Sequence, residues 1–191
     1  PDGFHTLMTV YQTLALHDLV TVEVRDARAT SISLASSDSR VPRDASNTVW
    51  RMVEAVLAEV GRTVEVHIHI EKRLPVRGGL GAGSANAAAA LLALEQELGV
   101  NLTEPRRLRL AVEIGSDVPL FLVGGTVLGS GRGEEVRPLP DTSSMPCVLA
   151  LPEIGVSTAL AFRDWDALHS LSSLTPLSSS TTIEKLSRSI A

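Results

Sequence analysis

A carboxylate and a glycine loop are the two features of the sequence whose residue types could carry out chemistry. Asp117 lies in residues 115–119 (Gly-Ser-Asp-Val-Pro), just before an apolar segment, so its charge must be either partnered or functional. Residues 75–85 read Pro-Val-Arg-Gly-Gly-Leu-Gly-Ala-Gly-Ser-Ala, and their four glycines allow the backbone to approach a ligand closely. Phosphoryl transfer to an alcohol requires cradled phosphates and a carboxylate that receives the hydroxyl proton.

Each feature also has a simpler interpretation. The loop is neither a Walker A sequence nor a G-x-G-x-x-G dinucleotide motif, and it could be a turn that packs closely on a neighbouring element. Asp117 could be the N-cap of a short turn at Val118-Pro119. A glycine loop that leads into a helix N-terminus nevertheless gathers free N–H groups at the positive end of the helix dipole, which favours phosphate. The presence of both features in one chain favours catalysis.

The loop is predicted to connect a strand to a long helix. Residues 64–70 alternate strictly between apolar and polar side chains, which predicts a strand, and Pro75 ends it. Ser84 is the predicted N-cap of a helix rich in Ala and Leu, and Gly99 is at its C′ position. His67 and His69 share the polar face of the strand, where they could hold a metal ion or simply face solvent.

The other predicted elements alternate between strands and helices, which indicates an α+β fold. Predicted strands cover residues 5–16, 19–24, 31–34, 120–128 and 147–151, of which 120–128 is apolar and interrupted by two glycines. Three further helices are predicted: one from the N-cap Ser46 to Gly61, one from Thr103 to Gly115, and one from Ser157 to about Trp165. Residues 36–43 are predicted to be a surface loop, 129–135 a glycine-rich return, and 170–182, rich in Ser and Thr, a mobile loop or linker.

Composition narrows the classes of partner. The 191 residues are 44% apolar and 20% charged, with a net charge of −5 and no run of Lys or Arg, which argues against a nucleic-acid partner. No apolar run reaches the roughly 18–20 residues that cross a bilayer. The single cysteine, Cys147, excludes an internal disulfide and suits a reducing cytosol. We therefore expect a cytoplasmic protein without nucleic-acid or membrane partners.

Four motifs together carry a resemblance to a known family. Residues 75–84 (Pro-x-x-x-Gly-Leu-Gly-x-Gly-Ser) resemble the second motif of the GHMP superfamily, named after galactokinase, homoserine kinase, mevalonate kinase and phosphomevalonate kinase. Residues 1–7 (Pro-Asp-Gly-Phe-His-Thr-Leu), 115–121 (Gly-Ser-Asp-Val-Pro-Leu-Phe) and 131–135 (Gly-Arg-Gly-Glu-Glu) are similar to motifs of one member of that superfamily. The resemblance extends to about residue 165, with the motifs in the expected order.

The resemblance implies a fold and a domain organisation. It implies an α+β GHMP kinase fold with a left-handed β-α-β crossover around the glycine loop, an exception to the usual right-handed rule. Residues 1–144 would be the ATP-binding N-terminal domain without its first strand, and residues 145–191 the beginning of a truncated C-terminal domain. The family's catalytic lysine lies on that first strand, and its third glycine motif lies in the C-terminal domain. We therefore expect a fragment without appreciable kinase activity of its own.

The resemblance also implies a reaction. The family member transfers the γ-phosphate of ATP, with Mg²⁺, to the 2-hydroxyl of a cytidine diphosphate-linked methylerythritol, a small-molecule step in the non-mevalonate route to isoprenoid precursors. One alternative is a related kinase for mevalonate-like alcohols, although such substrates have no base to stack on an aromatic ring. Another is a nucleotide-binding module without catalysis. We expect a monomer or a weak homodimer.

Individual residues acquire roles through the resemblance alone. Asp117 matches the catalytic aspartate, and no side chain is assigned as a metal ligand. Phe4 would stack on the cytosine, His5 would hydrogen-bond it largely through its backbone, and Phe162 would cover its other face. Asn47 would lie near the adenine. The residues that would cradle the ATP phosphates are Pro75, Val76, Arg77, Gly78, Gly79, Leu80, Gly81, Ala82, Gly83, Ser84 and Ala85, of which Arg77 replaces a small residue and could either reach a phosphate or be solvated.

Overall fold

Two three-stranded sheets and five helices account for the regular structure of residues 7–151 and 158–170, the part of the chain that this computed structural model describes. The elements in chain order are β1 (Thr9–Gln12), β2 (Leu19–Asp26), β3 (Ser31–Ser36), α1 (Thr48–Val60), β4 (Val64–Glu71), α2 (Ala82–Leu98), α3 (Glu104–Ile114), α4 (Val118–Val123), β5 (Thr126–Ser130), β6 (Glu135–Pro138) and α5 (Thr158–Ser170). The α+β class predicted from the sequence is confirmed.

The larger sheet has the strand order β2-β4-β3. The β2 strand pairs antiparallel with β4, so that Val22 lies opposite Ile68, whereas β3 runs parallel to β4 and places Leu34 beside the same residue. A parallel pair requires a crossover connection, and α1 provides it. The crossover in the described residues therefore precedes β4, and the glycine loop follows β4 on the way to α2.

The core lies between this sheet and the helices α1 and α2. The apolar face of β4 that the alternation predicts is buried, whereas the opposite face, with His67 and His69, is half-buried or exposed. The helix α2 packs on both β2 and α1. The largest fully buried side chains include Met52, Val53 and Val56 of α1, Ile70 and Val66 of β4, and Leu91 and Leu94 of α2.

The second sheet, in the order β1-β5-β6, pairs the first described strand with the last two strands of the chain segment described. Thr9 of β1 pairs with Gly129 of β5 in an antiparallel ladder. The ring of Tyr11 covers Gly129 so closely that a Cβ there would lie within 2.3 Å of it. The first predicted strand, residues 5–16, is thus regular only over residues 9–12, and residues 5 and 6 lie outside the described residues.

Two predicted helix N-caps are wrong. Asn47, not Ser46, caps α1, because its Oδ1 accepts the Val49 N–H at 2.9 Å. Ser84 is not the N-cap of α2, since the helix already begins at Ala82 and Gly81 occupies the cap position. The chain turns at Gly81 with φ = +67°, a conformation that glycine adopts without steric cost, so the helix starts as soon as the loop ends.

The predicted strand over residues 120–128 is wrong in its first part. Residues 118–123 form α4, with Pro119 in its first turn, where proline favours helix initiation. Gly124 and Gly125 then adopt positive φ and redirect the chain into β5. An apolar run of this length is compatible with either a buried strand or a buried helix, and the proline and the glycine pair select the helix.

The C-terminal predictions have mixed outcomes. Residues 147–151 are not a strand, because a strand requires a hydrogen-bonded neighbour and the sheets of the described residues offer them none. The helix predicted to run to Trp165 is present as α5. Its proposed cap Ser157, and residues 171–182 of the Ser- and Thr-rich segment, lie outside the described residues. Among the helices that the structure describes, none is long and apolar enough to cross a membrane.

Candidate active site

The glycine loop leaves β4 and enters α2 through a series of tight backbone turns. Gly79 and Gly81 have φ values of +70° and +67°, and Arg77, at +60°, is the one non-glycine residue with positive φ in the described part of the chain. A Cβ on Gly81 would lie 2.8 Å from Cζ of Phe121 in α4. Glycine is therefore favoured at position 81 for two reasons: the positive φ of its backbone and the close approach of Phe121 in α4.

A buried carboxylate holds the two ends of the loop. Asp18 accepts the backbone N–H groups of Arg73 and Leu74 and the Nδ2 of Asn86, each at 2.8 Å, as well as the Nζ of Lys72. Its side chain has no exposed surface. Burial alone would raise the pKa of Asp18, but the hydrogen bonds from these four residues outweigh burial and lower it. The sequence analysis assigned no role to Asp18; its one signal is an acidic residue between two apolar strands.

Two cavities lie on either side of the loop. The first, which we call the Asp117 cavity, has a volume of about 330 Å³ and brings Asp117 together with Gly79, Gly81 and Tyr11. The second, the Asn47 cavity, has a volume of about 210 Å³; it is lined by Asn47, Thr48, Lys72, Arg77, Gly83 and Asn86, among others. The loop thus faces a carboxylate on one side and, on the other, a recess that combines these polar residues with apolar ones such as Val41, Val49 and Ile70.

Asp117 is at the N-terminus of α4 without capping it. The residue occupies the N-cap position, but its side chain makes no capping hydrogen bond. The simpler interpretation of Asp117 as a helix cap therefore lacks its defining contact. Burial, and then the negative charge of Asp117, raise the pKa of Tyr11, so a protonated phenol stands near the carboxylate.

The last of the four sequence motifs, residues 131–135, packs against the same carboxylate. Gly133 has φ = +105°, and a Cβ on it would lie 3.1 Å from the hydroxyl of Tyr11 and 3.6 Å from Oδ1 of Asp117. The turn between β5 and β6 therefore forms one wall beside Asp117, and its positive φ and the nearby Tyr11 hydroxyl both favour glycine at position 133. The glycine-rich return predicted for residues 129–135 is this turn, but nothing in the sequence indicated that it lies beside Asp117.

Asn47 lies at the cavity but is already engaged. Its Oδ1 caps α1 through Val49, and its Nδ2 donates to the carbonyl oxygen of Pro42 at 2.7 Å. The neighbouring Thr48 donates its hydroxyl to the carbonyl oxygen of Gly83 at 2.8 Å, which ties α1 to the first turn of α2. These contacts fix the wall of the Asn47 cavity directly beside the glycine loop.

Comparison with known proteins agrees with this architecture. Residues 47–125 match the sequence model of the GHMP kinases N terminal domain. The chain contains a GHMP kinase N-terminal domain. The matched segment includes Asn47, the glycine loop and Asp117, and it ends at residue 125, just before β5.

Full-length relatives of this GHMP domain carry a specific name. The chain is 44% identical over 169 residues to a 4-diphosphocytidyl-2-C-methyl-D-erythritol kinase of Rhodococcus jostii, covering 88% of this chain and 54% of the relative. It is 42% identical over 164 residues to the protein of that name in Solibacter usitatus, covering 86% and 51%. The chain therefore spans about half the length of the curated relatives it matches.

Solved structures agree at the level of the fold. A crystal structure of 4-(cytidine 5'-diphospho)-2C-methyl-D-erythritol kinase is similar with a TM-score of 0.65 and 30% identity, covering 85% of this chain and 56% of that one. A homoserine kinase from Cytophaga hutchinsonii is similar with a TM-score of 0.61 and 27% identity, covering 86% and 54%. The GHMP kinase fold expected from the sequence motifs is thereby confirmed.

Three of the predicted site residues have no described side chain. Phe4 and His5 lie outside the described residues, as does the side chain of Phe162, whose backbone belongs to α5. No group of three or more His, Cys, Asp or Glu side chains suited to a metal ion occurs among the described residues. Magnesium commonly binds through one or two carboxylates plus substrate phosphates, so this site is compatible with a metal that arrives with a nucleotide.

Proposed function

We propose that the protein containing this chain is an ATP-dependent 4-diphosphocytidyl-2-C-methyl-D-erythritol kinase. The observation that carries the proposal is that Asp117 and the glycine loop line one cavity at the N-terminus of α2. A loop of this kind binds phosphate, and a carboxylate beside it can receive a proton from an attacking alcohol. The name of the relatives at 40–44% identity supports the choice of substrate.

The first half of the proposed mechanism is nucleotide binding. The N–H groups of the glycine loop and of the first turn of α2, where the helix dipole is equivalent to about half a positive charge, would bind the triphosphate. The Asn47 cavity, on the other side of the loop, would accept the adenosine. Magnesium bound with the nucleotide would neutralise part of the phosphate charge. Arg77, at the edge of that cavity, is available to contact a phosphate oxygen.

The second half is phosphoryl transfer in the Asp117 cavity. The 2-hydroxyl oxygen of the substrate forms a bond to the γ-phosphorus, the bond to the bridging oxygen breaks, and ADP leaves with the bonding electrons. Asp117 orients the hydroxyl and finally accepts its proton. Its lack of a capping bond leaves the carboxylate available for this role.

The resemblance to the family supplies the remaining residues of the proposed site. Phe4 would stack on the cytosine, His5 would hydrogen-bond it, and Phe162 would cover the opposite face. Residues 1–144 would form the nucleotide-binding domain and residues 145–191 the beginning of a second domain, with the nucleotide in the cleft between the two.

A substrate-comparison assay on the whole protein tests the proposal. The protein would be incubated with magnesium, radiolabelled ATP and one alcohol at a time: the cytidine diphosphate-linked methylerythritol, mevalonate or homoserine. We expect label transfer to the first alcohol only. Transfer to mevalonate or homoserine instead would identify a different GHMP kinase, and nucleotide binding without any transfer would identify a binding module.

A further inference from the structure

The Asp18 cluster, defined as Asp18 with its partners Lys72, Arg73, Leu74 and Asn86, surrounds a carboxylate that has no exposed surface. The carboxylate accepts four hydrogen bonds. An ionised carboxylate offers about four acceptor positions, so this one is fully used. The carboxylate of Asp18 therefore has no acceptor position left for a substrate.

The four donors come from both ends of the glycine loop. Lys72, Arg73 and Leu74 follow β4 directly, before the loop, and Asn86 is the fifth residue of α2, after it. Between them, residues 75–81 contain no helix or strand. A single side chain from the β1–β2 connection therefore fixes the separation of the strand end and the helix start.

The cluster also reaches the nucleotide side of the loop. Lys72 and Asn86 line the Asn47 cavity together with Gly83, and the side chain of Lys72 is only 7% exposed. If Asp18 moved, the two ends of the loop and one wall of the cavity would move with it. We infer that Asp18 is a positioning residue that holds the glycine loop in its nucleotide-binding conformation, an inference that rests on the proposed function.

Glu95 provides a matched control within the same helix. It is also a buried carboxylate, which accepts the backbone N–H of Leu102 and the Nε of Arg107 at 2.8 Å. It lies nine residues beyond Asn86 in α2, roughly 13 Å along the axis. It lines neither the Asp117 cavity nor the Asn47 cavity. Loss of Glu95 should therefore destabilise the fold without affecting the loop.

The test compares Asp18→Asn with Glu95→Gln in the full chain. The probe is the non-hydrolysable analogue adenylyl imidodiphosphate with magnesium, and the affinity is measured by calorimetry. The rate of native-state trypsin cleavage after Arg77 and the melting temperature are measured on the same samples. For Asp18→Asn we expect at least a tenfold rise in Kd and at least a tenfold faster cleavage. For Glu95→Gln we expect a lower melting temperature, with Kd and cleavage within twofold of wild type.

An exchange of the two side chains provides the rescue. In Asp18→Asn/Asn86→Asp the new amide at position 18 accepts from the backbone with its oxygen and donates to the new carboxylate, which also faces Lys72. We expect Kd and the cleavage rate of this double variant to return to within threefold of wild type. The double variant also keeps the inference testable if Asp18→Asn alone fails to fold.

The outcomes separate the two proposals. Wild-type affinity and cleavage in a folded Asp18→Asn chain would overturn the positioning role, and so would a folded double variant that stays weak and rapidly cleaved. If the wild-type chain does not bind the analogue, the same measurement on the whole protein decides the proposed function, which fails if the whole protein does not bind it either; the cleavage rates of the chain then decide the positioning role by themselves.

Discussion

Asp117 differs from an ordinary helix-terminal aspartate because it contributes no capping hydrogen bond to α4. Tyr11 shares the lining of the cavity with Asp117, and the backbone of Gly133 lies close to both side chains. A residue placed in this way can be changed to its amide with little effect on folding. Its contribution to chemistry and its contribution to stability can therefore be measured separately.

The first prediction concerns Asp117→Asn in the whole protein. The amide cannot accept a proton at neutral pH, so kcat should fall by roughly 10²–10⁴ while substrate affinities hold. The melting temperature should stay within about 3 °C of wild type, because no cap is lost and the expected change is within about 0.5 kcal/mol. Steady-state kinetics and a melting curve check both. A stable variant with near-normal kcat would remove Asp117 from catalysis.

The second prediction uses Tyr11, the only tyrosine of the chain. Burial and the charge of Asp117 both raise the pKa of the phenol above its ordinary value of 10.0. Removal of that charge in Asp117→Asn should therefore lower the pKa of Tyr11, although burial should keep it above the ordinary value. Absorbance at alkaline pH reports this titration without interference from other tyrosines. An unchanged curve would mean that the two groups are not close in solution.

At the scale of elements, the loop–helix junction shows which glycines can be tested. A side chain on Gly81 would collide with Phe121, so its substitution would mix a packing defect with any loss of binding. A Cβ added to Gly79 would meet no other atom within 4 Å, although the φ of this residue is +70°. Gly61, the C-cap of α1, also has open space, with φ = +63°. The two form a matched pair.

The third prediction follows from this pair. Gly79→Ala and Gly61→Ala should each destabilise the fold by about 1–2 kcal/mol, since an L-residue resists positive φ. Only Gly79→Ala should weaken the ATP analogue, by about tenfold or more, because its methyl group enters the cavity that the phosphates would occupy. Calorimetry and urea unfolding on both variants test this. If Gly79→Ala binds the ATP analogue as tightly as Gly61→Ala does, the face of the loop at Gly79 does not belong to the phosphate site.

The fourth prediction concerns acid stability through Asp18. Its pKa is lower in the folded chain than in the unfolded one, so the folded state binds fewer protons in acid. The stabilisation is therefore present above the unfolded value of about 3.9 and is lost as the pH falls through the folded value. We expect Asp18→Asn to reduce the slope of the unfolding free energy between roughly pH 5 and pH 3. The unfolding free energy of both proteins can be measured by urea titration across that pH range. Identical slopes against pH for wild type and Asp18→Asn would contradict the prediction.

The sequence predicts those elements whose signal is local. The alternation of β4, the helix that follows the glycine loop and the cap at Gly61 depend on neighbouring residues, and all three are present. The choice between strand and helix for residues 118–123 depends on Pro119 and on the glycine pair at 124 and 125, and the apolar run masked that signal. The predicted strand at 147–151 depended on a neighbour that no local pattern reveals.

At the scale of the whole molecule, the site could be predicted only in part. The motifs identified Asp117 and the loop separately, but their meeting in one cavity depends on how α4 packs against α2. Asp18 could not be found, because its four partners lie 54 to 68 positions later in the sequence. The division at residue 144 and the roles of Phe4, His5 and Phe162 remain predictions.

The pairing of β1 with β5 determines the order in which the chain can fold during synthesis. Thr9 lies beside Gly129, 120 positions later. At roughly 5–20 residues per second, β5 is therefore synthesised about 6–24 s after β1. The β2-β4-β3 sheet, α1, α2 and the Asp18 cluster all lie within residues 18–98 and need not wait. A nascent chain can therefore complete the glycine loop before the cavity that contains Asp117 exists.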